Sequence, residues 1–518
     1  MTSQIPLFKV FMNPKIDITP TLTSGFITQG SQVENFEQQL SDWFQYKYIL
    51  TVNSATSGLT LVLRLLNLPS GSEILTTPLT CLATNFPILA TGHKIKWVDV
   101  DDSTCNISLD DLKNKINSNT GAIMIVHWGG YPIDMNKLKK IQQDAEHLYN
   151  KKIPIIEDCA HAFGAKYNEK FVGTTGNIAV FSLQAIKHLT TGDGGLIFLP
   201  TQELYDRAKL LRWYGISREQ RSGNKDFRLE SDVKEWGYKF HMNDINAAIG
   251  ISNLPFIKKN LEITRNNALY YRNELKDIEG IELFEENKAH ESSYWIFTIK
   301  IINKERFIDY MKSQGITVSQ VHNRNDIHSC LKEYQSALPR LDELEKKIIS
   351  IPVGWWISTD DRKLIVSLIK QWCRKHTLKY NIRELKVSDR IEYLNLLKQM
   401  NNYSIEYTDN QFSKRLVDIA SQNSTILVIE HVGHLIGSGK LFIENKFYQS
   451  QAHIEDIVVD KDYRRLGLAT KIIENLIELS KTNNCYKISL CANQRLSGLY
   501  ESCKFKNMGN HYALYLTQ

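Results

Sequence analysis

The chain has 518 residues, 42% hydrophobic and 23% charged, which is too long for one ordinary core and calls for two or three domains. No apolar run is long enough to span a bilayer, and no basic segment followed by an apolar block opens the chain, so neither a membrane partner nor a secretory leader is expected. The net charge of +6 is spread along the chain, which gives no ground for nucleic-acid binding.

In chain order, short apolar strands alternate with helical segments between about residues 50 and 200. Strands are predicted at 48–52, 73–76, 96–100, 122–127, 153–157, 178–182 and 195–199, with helical periodicity at 58–66 and 135–149. Such alternation predicts a mostly parallel sheet with covering helices, whose ligands bind at the carboxyl ends of the strands. Residues 251–372 read as a helix followed by a smaller α/β unit, with strands within 281–302 and a helix at 304–314. A polar, basic stretch at 373–380 reads as a linker. The pattern then restarts with a strand, a helix, a hairpin, a strand at 453–459, a glycine-containing turn and a helix at 470–480. The expected domains are therefore 1–250, 251–372 and 381–518. The eight cysteines are scattered with no CxxC pair, so no metal site or disulfide framework is expected, and a reducing, cytoplasmic compartment is.

Three strand ends carry candidate chemistry. Lys187 follows the strand ending at Ser182 by five residues and precedes Gly192, Gly194 and Gly195. A lysine on such a turn can form a Schiff base with an aldehyde cofactor such as pyridoxal phosphate; taken alone it reads first as a solvated loop residue, and the motifs further up the chain overturn that. Asp158 ends the strand Ile155-Ile156-Glu157-Asp158, where a carboxylate can pair with a pyridinium nitrogen or cap a helix. Asn53-Ser54-Ala55-Thr56-Ser57-Gly58 closes one strand and opens a helix, a cradle suited to a phosphate.

On these stretches, residues 1–372 resemble the DegT/DnrJ/EryC1 sugar aminotransferases, within the fold type I pyridoxal phosphate enzymes. Further matches are Ser24–Gly30, Glu157-Asp158-Cys159-Ala160-His161 and Gly237–Asp244. The resemblance implies Lys187 as Schiff-base lysine and proton shuttle, and Asp158 at the pyridinium nitrogen. It also implies Thr56, Ser57 and Ser182 at the phosphate and His161 where a glutamine usually lies against the ring. Cys81 stands where an aromatic ring commonly stacks, and His241 replaces a common arginine. Lys239 stands where an asparagine often reaches the phosphate of the partner in a homodimer. Lys187 argues against the dehydratase branch, in which a histidine replaces the lysine. His322 and Arg324 fall where the small domain lines the substrate pocket; Arg324 would grip a diphosphate, or else pair with Asp326 or another surface acid.

Arg464-Arg465-Leu466-Gly467-Leu468-Ala469 follows a strand ending at Val459 and opens a helix. It fits the Arg/Gln-x-x-Gly-x-Gly/Ala turn of GNAT acetyltransferases, whose exposed amides hold the pyrophosphate of acetyl-CoA. Residues 381–518 are similar to glucosamine 6-phosphate N-acetyltransferases. That likeness implies an acidic pair, Glu455 and Asp456, and a general acid, Tyr500, beside the leaving sulfur. The bland alternatives are edge acids and a packed core tyrosine. Cys491, Leu496 and Lys504 depart from the pattern, leaving the acceptor open. The expectation for the whole chain is a two-step enzyme. An amine moves from a donor, by resemblance glutamate, to a nucleotide-linked keto-sugar, commonly a 4-keto-6-deoxyhexose, and is then acetylated. The alternatives are an independent glucosamine 6-phosphate acetyltransferase and a non-catalytic last domain.

Overall fold

In the computed structural model, which describes residues 4–217, 232–400, 406–491 and 496–508 and the backbone of 511–515, the chain divides into two units, Met1–Lys370 and Gln371–Gln518. The first unit runs through α1 (Ser31–Phe44), β1 (Ile49–Val52), α2 (Ala55–Leu65), β2 (Glu73–Thr76), α3 (Leu82–Ala90), β3 (Lys94–Trp97) and β4 (Thr120–Val126). It continues with α4 (Met135–Tyr149), β5 (Ile155–Asp158), β6 (Ile178–Ser182) and β7 (Gly195–Phe198). These strands form one sheet in the order β1-β7-β6-β5-β4-β2-β3. The four pairs from β6 through β3 are parallel, and β7 alone runs against both neighbours. A parallel connection needs a crossover, usually helical; residues 183–194 hold no helix and simply turn back. All seven positions of β4 are buried, the continuous apolar run of a strand covered on both faces.

The strand predicted at 96–100 lies earlier, at Lys94–Trp97. Past Trp97 the chain leaves the ladder, and the Asp99 carboxylate accepts from the Arg340 and Leu341 amides instead. In the same unit follow α5 (Asp244–Asn253), α6 (Ile257–Leu275), β8 (Ile281–Leu283), β9 (Phe297–Ile301), α7 (Lys304–Ser313) and β10 (Ile348–Ile351), the strands forming a three-stranded antiparallel sheet with β9 central.

Helix α8 (Thr359–Thr377) runs into the segment expected to be a linker. Trp372 and Cys373 are buried, and Arg374, Lys375 and His376 occupy the last turn. Cations there meet the carbonyl end of the helix dipole. The basic run is a helix terminus, which corrects the linker reading for 373–377.

The second unit contains β11 (Asn381–Glu384), α9 (Arg390–Lys398), α10 (Asp409–Ser421), β12 (Ser424–His431), β13 (His434–Asn445) and β14 (Ser450–Val459). Then come α11 (Leu468–Thr482), β15 (Cys485–Cys491), α12 (Ser497–Ser502), β16 (Lys506–Asn507) and β17 (His511–Tyr515). The sheet order is β11-β12-β13-β14-β15-β17-β16. Among the described residues only β14 and β15 are parallel, and they pair from Ser450 to His453. Against β13, Ser438 faces Val458 but Lys440 faces Glu455, so Asp456 and Ile457 together oppose Gly439. This two-for-one bulge reverses side-chain parity. Ile454 packs with α11, while Val458 packs with α9 and α10 on the other face.

Candidate active sites

The sheet register assembles the first site. Gly195 pairs with both Val52 and Ser182, so the start of β7 lies between the ends of β1 and β6. Ser54 caps α2, its Oγ accepting from the Ser57 amide at 3.1 Å with the two hydroxyls 2.9 Å apart. A Cβ on Gly195 would lie 2.6 Å from the Ala55 nitrogen and 2.7 Å from the Ser54 carbonyl carbon. Glycine there is what lets the helix start press against the strand. The orphan amides of the first turn, the exposed Thr56 and the Ser57 and Ser182 hydroxyls make an anion cradle.

Asp158, at the end of β5, is buried; Thr84 donates to its Oδ2 at 2.7 Å and the Ala160 amide to its Oδ1 at 3.0 Å. No helix follows it, so the capping alternative is not realised. Burial pushes its carboxyl pKa up against those two hydrogen bonds. Neighbouring Glu157 fixes the strand end. It accepts from the Gly173 amide, Thr175 and Asn177, and pairs with His127 at 3.2 Å. His127 and Glu157 lie close to Cys159, but the other His127 nitrogen accepts from the Ile133 amide. These groups form a hydrogen-bonded knot rather than an open ligand set.

Lys187 stands on the loop after β6, its Nζ 3.5 Å from the centre of the Trp295 ring. Burial draws its pKa down to about 7, opposed by Asp158 and Cys81. The loop is stapled by the Leu183–Gly194 and Thr191–Leu183 backbone bonds. Asn246 donates to the Thr191 and Asp193 carbonyls, and Asn253 to that of Thr190. His161 stacks on Trp295 with centroids 3.9 Å apart, and His322 lies parallel to it, the Nε2 atoms 3.5 Å apart. His188, next to Lys187, has its Nε2 2.9 Å from the Ser293 carbonyl; burial holds all three imidazoles neutral, His161 well below its usual range and His322 and His188 at about 4. Cys81 is exposed at the start of α3.

Arg324 is a correction. Its guanidinium binds both Asp326 oxygens at 2.8 Å and also pairs with Asp342, and the residue is buried. With the fork filled, it offers no bidentate face to a diphosphate. Lys239 is exposed, and its carbonyl accepts from Asn53 of its own chain. The glycine motif at 24–30 and the stretch at 237–244 meet through Asp244, which accepts from the Gly30, Gln32 and Val33 amides and so caps α1. Sequence reasoning missed Thr84, Trp295, Asn246 and Asn253; the only local signal was the position of Thr84 in the first turn of a helix beginning beside Cys81.

In the second unit, Gly467 caps α11 at φ +81°, preceded by Arg465 at φ +64°. Arg464 and Arg465 are exposed, and the Arg464 Nε donates to the Val459 carbonyl at 3.0 Å. Ala469 lies in the first turn, so the turn presents free amides and two cations together. Glu455 and Asp456 are exposed at the bulge, Asp456 at φ +51°, with Lys440 3.1 Å from Glu455. Beyond His453 the two strands part, leaving a wedge between β14 and β15. Tyr500 is buried on α12 against Phe505. Lys504, one of the departures from the acetyltransferase pattern, lies in the left-handed region at φ +69°.

A lysine amine and a buried carboxylate at the carboxyl edge of a mostly parallel sheet, beside a hydroxyl-lined helix start, define a fold type I aminotransferase; the split sheet with its glycine turn defines a GNAT acetyltransferase. The DegT/DnrJ/EryC1/StrS aminotransferase family model matches residues 14–370, and the Acetyltransferase (GNAT) family model matches 391–505. The chain belongs to the DegT/DnrJ/EryC1/StrS aminotransferase family and carries a GNAT acetyltransferase domain after it. It is similar to the UDP-4-amino-4,6-dideoxy-N-acetyl-beta-L-altrosamine transaminase of Campylobacter jejuni, 29% identical over 67% of this chain and 91% of that protein. Among solved structures it is similar to AtS13 of Actinomadura melliaura, at 43% identity and a TM-score of 0.69 over 71% of this chain and 99% of that one. The sugar aminotransferase CalS13 of Micromonospora echinospora gives 42% and 0.68, with the same coverage. Aminotransferases of this family use pyridoxal phosphate. The donor set fits that group: an acid for a ring nitrogen, an amine for an aldehyde and a helix start for a phosphate.

Proposed function

We propose that the first unit transfers an amino group to a nucleotide-linked keto-sugar and that the second acetylates the amine so formed, using acetyl-CoA. The observation that carries the first step is Lys187, an amine drawn down to about 7 beside Asp158. The names of the relatives, the Campylobacter transaminase and the GDP-perosamine synthase of Escherichia coli O157:H7, support a nucleotide-linked 6-deoxy sugar.

Bound pyridoxal phosphate supplies the aldehyde that carries the amino group from donor, glutamate by resemblance, to sugar. Asp158 would face its ring nitrogen, with His161 against the ring and Cys81 at its rim. Thr56, Ser57, Ser182 and the α2 amides would hold the phosphate, joined by Lys239 of a second copy in a homodimer. With its pKa near 7, roughly half of the Lys187 amine is neutral at pH 7 and able to attack an aldehyde. Freed again, the same amine takes a proton from one carbon and returns it to another. His322 lies next to His161 and would meet the sugar. In the second unit, Arg464, Arg465, Gly467 and Ala469 would hold the pyrophosphate, with the Val459 carbonyl steadying Arg464. Glu455 and Asp456 would meet the incoming ammonium, and Tyr500 would give a proton to the departing sulfur.

The test is mass spectrometry of products from a panel of nucleotide keto-sugars with glutamate and acetyl-CoA. The expected product is an acetamido sugar that stops at the amine when acetyl-CoA is withheld. An amine never acetylated, together with acetylation of glucosamine 6-phosphate, would sink the coupling. A visible absorption band of cofactor bound to the enzyme, lost in Lys187→Ala, checks the first half.

A further inference from the structure

The acidic pair at the bulge is the only chemistry so far assigned to the acceptor side of the second unit. The same sheet face carries a hydrogen-bonded chain of different composition. Phe442, His453 and Ser489 share one rung across β13, β14 and β15, and Glu444 stands two residues beyond Phe442, on the same face. The Ser489 Oγ lies 3.0 Å from the His453 Nδ1, and the His453 Nε2 lies 3.2 Å from the Glu444 carboxylate. Gln451 donates to the Ser489 Oγ at 3.0 Å, so the serine proton is left for Nδ1. The imidazole then carries its own proton on Nε2 and donates it to Glu444, whose carboxyl is held below its usual range chiefly by that bond. The order is hydroxyl, imidazole, carboxylate, in which the base is oriented and its charged form stabilised by the acid.

Position gives this chain a use. His453–Ser489 is the last paired rung before β14 and β15 diverge, so the serine hydroxyl sits at the apex of the wedge. Helix α11, whose start offers the anion site, packs with Ile454 and Leu441 on one face; His453, Glu455 and Ser489 occupy the other. His453 and Glu444 keep 31% and 44% of their side-chain surface exposed, so the face is open to an acceptor.

We propose that Ser489, His453 and Glu444 form a proton relay that deprotonates the acceptor ammonium at the apex of the wedge. The inference rests on the acetyl-transfer reading of the second unit and holds whichever amine that unit accepts. One ammonium proton passes to the Ser489 oxygen while the serine proton passes to Nδ1, and Glu444 stabilises the imidazolium. The amine lone pair attacks the thioester carbonyl, a C–N bond forms and the C–S bond breaks. The second nitrogen proton ends on the CoA sulfur, and the imidazolium gives its proton to water. The charged groups facing the imidazole are Glu444 and Lys446 from β13 and its turn, the Lys440–Glu455 pair, and Lys487 on β15. The competing reading is a polar ladder on an open sheet face, which stabilises strands and moves no proton.

The experiment uses the full chain with acetyl-CoA, following thiol release against pH. Two acceptor probes are used: glucosamine 6-phosphate and the amino sugar formed by the first unit. His453→Gln should lower kcat by about 10²-fold or more at neutral pH, leave the KM for acetyl-CoA unchanged and abolish the acidic limb of the kcat profile. Glu444→Gln should keep the limb and lower kcat by a smaller factor than His453→Gln, because the imidazole keeps its lone pair but loses the group that orients it. A wild-type profile in His453→Gln overturns the relay. So does an acetyl adduct on Ser489 after incubation with acetyl-CoA, which would make the serine a nucleophile. If the wild-type chain acetylates only glucosamine 6-phosphate, the coupled function fails and the relay is judged on that amine. If it acetylates neither probe, nitrogen NMR of His453 decides. An Nε2–H tautomer in the wild-type chain supports the pairing, and an Nδ1–H tautomer overturns it.

Discussion

Lys187→Met should make the cofactor-free first unit more stable at neutral pH. The displacement of the amine pKa from 10.5 to about 7 spans about 3.5 pH units, a ceiling of about 5 kcal/mol at about 1.4 kcal/mol per unit. Lys187 keeps partial exposure, and relaxation there brings the expected penalty to about 2–4 kcal/mol. Between pH 7 and 10.5 the unfolded chain holds a proton that the folded amine has released. Wild-type stability therefore rises with pH through that window relative to the variant, and the penalty is complete at pH 7 and below. Methionine removes the ionisable group and keeps apolar contact with Trp295. Urea unfolding followed by tryptophan fluorescence suits the assay, because of nine tryptophans only Trp372 lies beyond Lys370. The reasoning fails if the variant is no more stable than wild type at pH 6, or if its advantage grows towards pH 10.5.

Arg324→Met, scored by urea unfolding and sugar KM, should cost about 3 kcal/mol of first-unit stability by stranding Asp326, while leaving the KM for the nucleotide sugar within about threefold, below the tenfold that 1.4 kcal/mol of lost binding would give. A large KM change with unaltered stability would restore the arginine to the substrate. His188 and His322 are held neutral by burial, at about 4, so first-unit stability should fall as pH drops from 6.5 towards 4, where the unfolded imidazoles gain protons first. A His188→Asn/His322→Asn double variant should flatten that decline in the same unfolding assay.

The parts of the site that were legible in the sequence are those written locally. A strand end followed by small polar residues, or by a lysine among glycines, is a pattern within fifteen residues, and the sheet places each such end at one edge. What was not legible depends on partners far along the chain. Trp295 meets Lys187 across about a hundred residues, and Thr84 meets Asp158 across a strand order that periodicity does not give. Arg324 sat next to its answer: Asp326 was a visible partner, but Asp342, which closes the other side of the fork, was not. The strand at 453–459 was read in place, yet the bulge at Asp456 was invisible, because its extra residue shows only in the register of this strand against the neighbouring one.

Both units hold their anion sites at a helix start reached from a strand end, but glycine serves them differently. Gly195 is needed for space: its backbone lies outside the left-handed region, and an added Cβ would meet the Ser54–Ala55 peptide at 2.6–2.7 Å, where ordinary contact begins at about 3.4 Å. Gly467 is needed for conformation: it sits at φ +81°, and its Cβ would meet nothing nearer than the Lys375 side chain at 3.6 Å. Asparagine tolerates the left-handed region better than other residues with a Cβ. Gly467→Asn should therefore keep acetyl-CoA affinity within a few fold, while Gly467→Val should lose about 1–2 kcal/mol or more. At Gly195 neither alanine nor asparagine should be accepted, since each brings the same Cβ. Pyridoxal phosphate affinity, measured by equilibrium dialysis, should fall alike for both. If asparagine were tolerated at 195 and refused at 467, the assignment of space to one glycine and conformation to the other would be reversed.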